Sequence, residues 1–105
     1  MKKRLERAIA SVQNVIAVAN AELSNVNSKW SKGLIEDVVL SEMQELYDHF
    51  IAGERFFKYK NKIGIFTIKQ RLLQSTYIML DTMEDLSSTE LGIAIHEFQR
   101  IYDRL

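Results

Sequence analysis

The sequence contains no cysteine and no proline, and only 4 glycines among its 105 residues. Without cysteine there is no disulfide framework, no thiolate zinc site and no cysteine nucleophile. That composition suits a reducing compartment and makes the cytoplasm the expected location. Average usage of about 5% would place roughly five prolines in a chain this long, so their absence leaves helices without their commonest interior breaker. Long apolar runs are missing as well, and no stretch approaches the roughly 18 to 20 residues that cross a bilayer as a helix. Lys2, Lys3 and Arg4 ahead of an apolar stretch ending in Ala19, Asn20 and Ala21 imitate a signal peptide. Glu6, Arg7, Gln13 and Asn14 interrupt the imitation, so secretion is not expected.

What is present is helical periodicity. The length fits one domain, able to bury about two-thirds of the surface of its unfolded chain. Leu5, Ile9, Val12, Ile16, Ala19, Leu23 and Val26 step by four and three, which predicts a helix over about 2–25. Asn25 to Gly33 is polar, holds the single Trp30 and reads as a loop. Ile35, Val39, Met43, Leu46 and Phe50 predict a second helix over about 34–52, with Gly53 placed for a left-handed cap. Glu54 to Phe66 loses the period and reads as a basic, aromatic connector, or alternatively as a short hairpin around Lys60 to Lys62.

Leu72, Thr76, Met79, Met83 and Leu86 predict a third helix over about 67–86, with Thr67 and Gln70 spaced for a capping box. Ser87 and Glu90 have the same spacing, and Leu86 with Leu91 fits a hydrophobic staple, so a fourth helix is expected over about 88–104 with Ser87 as its cap. Its apolar face is Leu91, Ile95, Phe98, Tyr102 and Leu105, with Gly92 tolerated at about 1 kcal/mol relative to alanine. Four amphipathic helices must cover one another's apolar faces, and short connections make neighbours antiparallel. The expected fold is therefore all-α, a single-domain up-down four-helix bundle.

Formal net charge is zero, but the charges are sorted. Residues 55–71 carry Arg55, Lys58, Lys60, Lys62, Lys69 and Arg71 and no acid, whereas 81–97 carry five acids and no Lys or Arg. In an up-down bundle, that segment joins Lys2, Lys3, Arg4, Arg7, Arg100 and Arg104 at one end. Glu22, Glu36, Asp37, Asp81, Glu84, Asp85 and Glu90 gather at the other. Helix dipoles favour acids at helix starts and bases at helix ends, which accounts for the second and fourth helices and opposes the order in the first and third. A basic and an acidic pole are expected, with Arg55, Lys58, Tyr59, Lys60, Lys62, Lys69 and Arg71 as candidate partner-binding residues.

Sites for chemistry are weakly supported. Neither His49 nor His96 has a glutamate three residues before it, as di-metal bundles require, and Glu45 with His49 has the spacing of an ordinary helix-surface pair. Ser75 and Thr76 fall mid-helix, and no nucleophile elbow or phosphate loop surrounds Gly64. Tyr47, Tyr77 and Tyr102 fit half-buried core positions. No enzymatic activity, cofactor or metal is expected. The leading expectation is an interaction or regulatory module whose partner is another protein or a second copy in a homodimer. The alternative is a nucleic-acid-binding protein using the basic pole, its aromatics stacking on bases. In size, helicity and lack of cysteine the chain also resembles bacteriocin immunity proteins, a likeness of architecture that no motif carries.

Overall fold

The computed structural model describes residues 2–53, 57–60, 65–68 and 72–105, with Lys2 and the two four-residue stretches described by backbone alone. Four helical regions form a compact bundle: α1 (Lys2–Leu23), a π-helical segment Leu34–Leu40 that continues into α2 (Ser41–Ile51), α3 (Gln74–Leu80) and α4 (Glu90–Asp103). Between α2 and α3 stands an antiparallel pair of strands, β1 (Phe57–Lys60) and β2 (Ile65–Ile68), with Phe57 opposite Ile68 and Lys60 opposite Ile65. The hairpin alternative is thus the one realised in place of an irregular connector. Its turn, 61–64, is outside the described residues.

Four contacts fix the helix directions. Arg4 Nη1 donates to the carbonyl of Arg104 at 3.4 Å, so α1 begins where α4 ends. Phe50 meets Phe98 edge-on with centroids 6.3 Å apart, which sets the end of α2 beside the last turns of α4. Trp30, just before the π-helical segment, donates its indole N–H to Thr89 Oγ1 at 2.9 Å, at the start of α4. Leu73 N–H, entering α3, reaches Gln99 Oε1 at 3.0 Å near the end of α4. The helices therefore alternate up and down, as expected.

The core differs in detail from the simplest reading of the apolar rows. On α1 the fully buried line is Ala8, Val12, Val15 and Ala19, while Leu5, Ile9, Ile16 and Leu23 pack along its margins. α1 packs against both α4 and α2. α1 stops at Leu23, followed by turn hydrogen bonds from Ser24 and Asn25, so Val26 is exposed. On the second helical region Ile35, Val39, Met43, Leu46 and Phe50 are all buried, as the spacing predicts. Gly53 has φ +90° and closes the helix through its N–H to the Phe50 carbonyl, the left-handed cap expected there.

The third helix is much shorter than 67–86. Ile65, Phe66, Thr67 and Ile68, β-branched and aromatic residues that favour strands, pair with β1 instead of starting a helix. Thr67 is therefore a strand residue, and its supposed capping partner Gln70 is outside the described residues. After Leu80 the backbone leaves the helix at Asp81, and the stretch to Thr89 folds back, leaving Met83 fully exposed while Leu86 returns to the core. Leu72 is also largely exposed.

So short a helix depends on borrowed caps. Leu73 at its N-cap position offers no side-chain cap, and Glu42 of α2 takes the role from across the bundle. Its carboxylate accepts from Gln74 N–H, Ser75 N–H and Ser75 Oγ, each at 2.8 Å. Buried Gln99 accepts from Leu73 N–H and from Thr76 Oγ1 at 2.9 Å, and donates to Asp103 at 2.9 Å. Ser75 and Thr76 are thus satisfied buried hydroxyls within a structural network.

The cap of α4 lies two residues later than Ser87, and the helix starts at Glu90. Thr89 is the N-cap, its Oγ1 accepting from Gly92 N–H at 3.0 Å and donating to the Leu86 carbonyl at 2.6 Å. Ser87 instead meets His96 Nε2 at 3.2 Å, and Ser88 donates to Asp85 at 2.7 Å. Thr89 wins because the back-folded turn brings the Leu86 carbonyl and Trp30 to the same hydroxyl, filling its one donor and two acceptor positions. Gly92 is required there rather than merely tolerated. A Cβ on it would fall 2.0 Å from the Leu86 carbonyl oxygen, which is backbone and cannot swing aside.

Candidate functional site

Antiparallel packing of α1 against α4 brings four arginines to one place. Arg4 and Arg7 are three apart on α1, and Arg100 and Arg104 are four apart at the end of α4. Each pair therefore shares a helix face with Cβ atoms about 5–6 Å apart. The four line an open cleft of about 980 Å³ together with Glu97, Ile101 and Leu105. All four are exposed, so their stems can lie on the apolar lining while the guanidinium groups stay in water. Apart from the Arg4 bond to the Arg104 carbonyl, none of the four donates to another described group, and no described carboxylate pairs with them.

Local helix energetics explain only half of this cluster. Arg100 lies in the last turn of α4 and Arg104 caps it, where positive charge is favoured by the helix dipole. Arg4 stands in the first turn of α1, where positive charge is disfavoured and no acid offsets it, and Arg7 follows one turn on.

Of the candidate residues read from the sequence, Lys58, Tyr59 and Lys60 lie on β1 and are described by backbone alone. Arg55, Lys62, Lys69 and Arg71 are outside the described residues. The cleft is therefore formed by other members of the expected basic pole. The sequence signal for it was present in the spacing of Arg4 with Arg7 and of Arg100 with Arg104 on two helices that pair antiparallel. At the other end Glu22 and Glu90 line a second cleft of about 430 Å³ beside Thr89 and Lys29. Glu22 accepts from Ser28 Oγ.

Among the described residues no group of three His, Asp or Glu is placed to hold a metal ion. No helix among them is long and apolar enough to cross a membrane. No family model, curated protein or solved structure matches this chain.

Proposed function

We propose that the protein is a non-enzymatic interaction module that holds an acidic surface of a partner protein through the basic end of its bundle. Its cysteine-free composition leads us to place it in the cytoplasm. The observation that carries the proposal is the set of four arginines around one cleft with no described carboxylate paired to them, one of them in the first turn of a helix where positive charge is disfavoured. A surface of this kind steers an oppositely charged partner and fixes its register. A second copy is one eligible partner, because Glu36, Asp37, Asp81, Glu84 and Asp85 are exposed on the same chain.

The test is affinity capture from the source cell with the wild-type chain and with an Arg7→Glu, Arg100→Glu variant. Both positions are exposed; Arg7→Glu is expected to alter stability by within about 0.5 kcal/mol, and Arg100→Glu, which reverses a charge the helix dipole favours, to cost about 0.5 to 2 kcal/mol. A protein retained by the wild type, lost by the variant and released by moderate salt supports the proposal. Capture that the reversal leaves unchanged contradicts it. Capture that disappears after nuclease treatment assigns the basic end to nucleic acid instead.

A further inference from the structure

Both clefts open on the seam between α1 and α4, and charge is sorted along that seam from end to end. Arg4 and Arg7 stand beside Arg100 and Arg104 at one end, and Glu22 stands beside Glu90 at the other. Each end also holds one charge of the opposite sign, Glu97 in the basic cleft and Lys29 in the acidic one. For α4 the order follows the helix dipole, with Glu90 in its first turn and Arg100 in its last. For α1 it runs against the dipole, with Arg4 in the first turn and Glu22 in the last. The same placement sets like charges side by side across the seam, so a lone copy gains from it in neither respect. The two ends are also too far apart to neutralise each other. The 14 residues of α4 span about 21 Å, well beyond the Debye length of about 8 Å at physiological ionic strength.

A second copy, turned end for end about a two-fold axis lying across the seam, sets α4 against α4 and α1 against α1, each pair antiparallel. When Arg104 faces Glu90 of the second copy, the axis crosses α4 at Glu97, midway between those positions. When Arg4 faces Glu22 of the second copy, the axis crosses α1 between Ser11 and Asn14. The two crossing points lie at one height, because Arg4 donates to the Arg104 carbonyl and Glu22 shares a cleft with Glu90. One axis therefore serves both helices, and both sets of opposite charges meet at once. Between the charged ends the surface is compatible with contact. Ser11 and Asn14 carry no charge, Val18 and Ile101 are half-buried, and Ile93, on the stripe of α4 that holds Glu90 and Glu97, is 57% exposed. Glu97 is the residue the symmetry disfavours, since at the axis it meets Glu97 of the second copy.

We propose that the protein forms a two-fold symmetric homodimer through the α1–α4 seam, the basic end of each copy lying on the acidic end of the other. The inference rests on the basic-end reading given above and names its partner as a second copy of this chain. Such an interface uses the same patch on both subunits and closes on itself, so association stops at two.

Sedimentation equilibrium of the purified chain over a wide range of concentration reads the association directly. The wild type, a chain of 12.2 kDa, is expected to reach the mass of two copies and no higher. Arg4→Glu and Glu22→Arg each follow the dipole of α1 and should leave the fold intact, which circular dichroism checks. Either change alone sets like charges opposite one another twice across the axis and is expected to raise the dimer dissociation constant about ten-fold. Both changes in one chain recreate opposite charges and are expected to return the constant to within about two-fold of wild type. Glu97→Gln removes the two carboxylates at the axis and is expected to tighten the dimer about two-fold or more. A dimer that both single variants leave unchanged, that the double variant fails to restore, or that Glu97→Gln weakens overturns this interface. Masses beyond two copies overturn the two-fold arrangement in favour of an open head-to-tail chain. A wild type that stays monomeric overturns the dimer and leaves the basic-end reading standing, because capture of a different protein is measured separately. A monomeric wild type together with capture that charge reversal leaves unchanged overturns both.

Discussion

Thr89→Ala removes three interactions with one hydroxyl, and their sum can be worked from the structure. The Gly92 N–H loses its cap, a change that costs about 0.5 to 2 kcal/mol. The indole N–H of Trp30, a residue only 4% exposed, loses its partner, and an unsatisfied buried donor costs about 1 to 3 kcal/mol. The Leu86 carbonyl keeps its bond from Thr89 N–H and is affected least. Because the terms share an atom they add incompletely, and a total of about 2 to 4 kcal/mol is expected. Thr89→Ser retains the hydroxyl and should stay within about 1 kcal/mol of wild type, since the cap ranking of serine and threonine is close. Ser87→Ala removes only a contact to His96 and should fall within about 0.5 kcal/mol. Urea unfolding followed by helical circular dichroism and by Trp30 fluorescence reads all three variants. The assignment of the cap is refuted if Thr89→Ala lies within 0.5 kcal/mol of wild type, or if Ser87→Ala costs more than Thr89→Ala.

Gly92→Ala should destabilise by about 1 to 3 kcal/mol despite the better helix propensity of alanine, because the new methyl meets the Leu86 carbonyl; a stabilised variant in thermal unfolding would contradict the close approach. Glu42→Ala leaves two N–H groups and a hydroxyl of α3 without their acceptor. It should cost about 1.5 to 3 kcal/mol in urea unfolding, with loss of amide protection concentrated at Gln74 and Ser75 in hydrogen exchange. Met79→Ala and Phe98→Ala should each cost about 2 to 5 kcal/mol, since both side chains are buried in the core; denaturation midpoints unchanged within error would place them at the surface.

The long helices were legible because periodicity is repeated often enough to outvote local exceptions. Ile35 to Phe50 is an unbroken row and is buried throughout, and Gly53 closes it as a left-handed cap. The same row gives no sign that Leu34–Leu40 is π-helical, because the apolar spacing there is compatible with either winding. The third helix was overextended for the same reason in reverse. Leu72, Thr76, Met79, Met83 and Leu86 keep helical spacing, yet only Thr76 and Met79 belong to α3, and Leu86 reaches the core through a turn that happens to preserve the interval.

Long-range hydrogen bonds were not legible at all. Nothing in the neighbourhood of Trp30 announces Thr89, 59 positions away, and nothing near Ser75 announces Glu42. These bonds decide where α4 and α3 begin, which is why boundary signals taken from adjacent residues pointed to Ser87. The candidate cleft was legible in part. Sorting of charge indicated a basic end, while the selection of four arginines emerged only once α1 and α4 were seen to run antiparallel.

The most direct test of the basic-end account is an amide chemical-shift titration of the isotopically labelled chain with a peptide carrying three consecutive glutamates. Saturable shifts should cluster on Arg4, Arg7, Glu97, Arg100, Ile101 and Arg104 and be abolished in the Arg7→Glu, Arg100→Glu variant, with amides around Glu36 and Glu84 unmoved. Shifts centred on those acidic residues, or shifts at the cleft that persist in the charge-reversed variant, would contradict it.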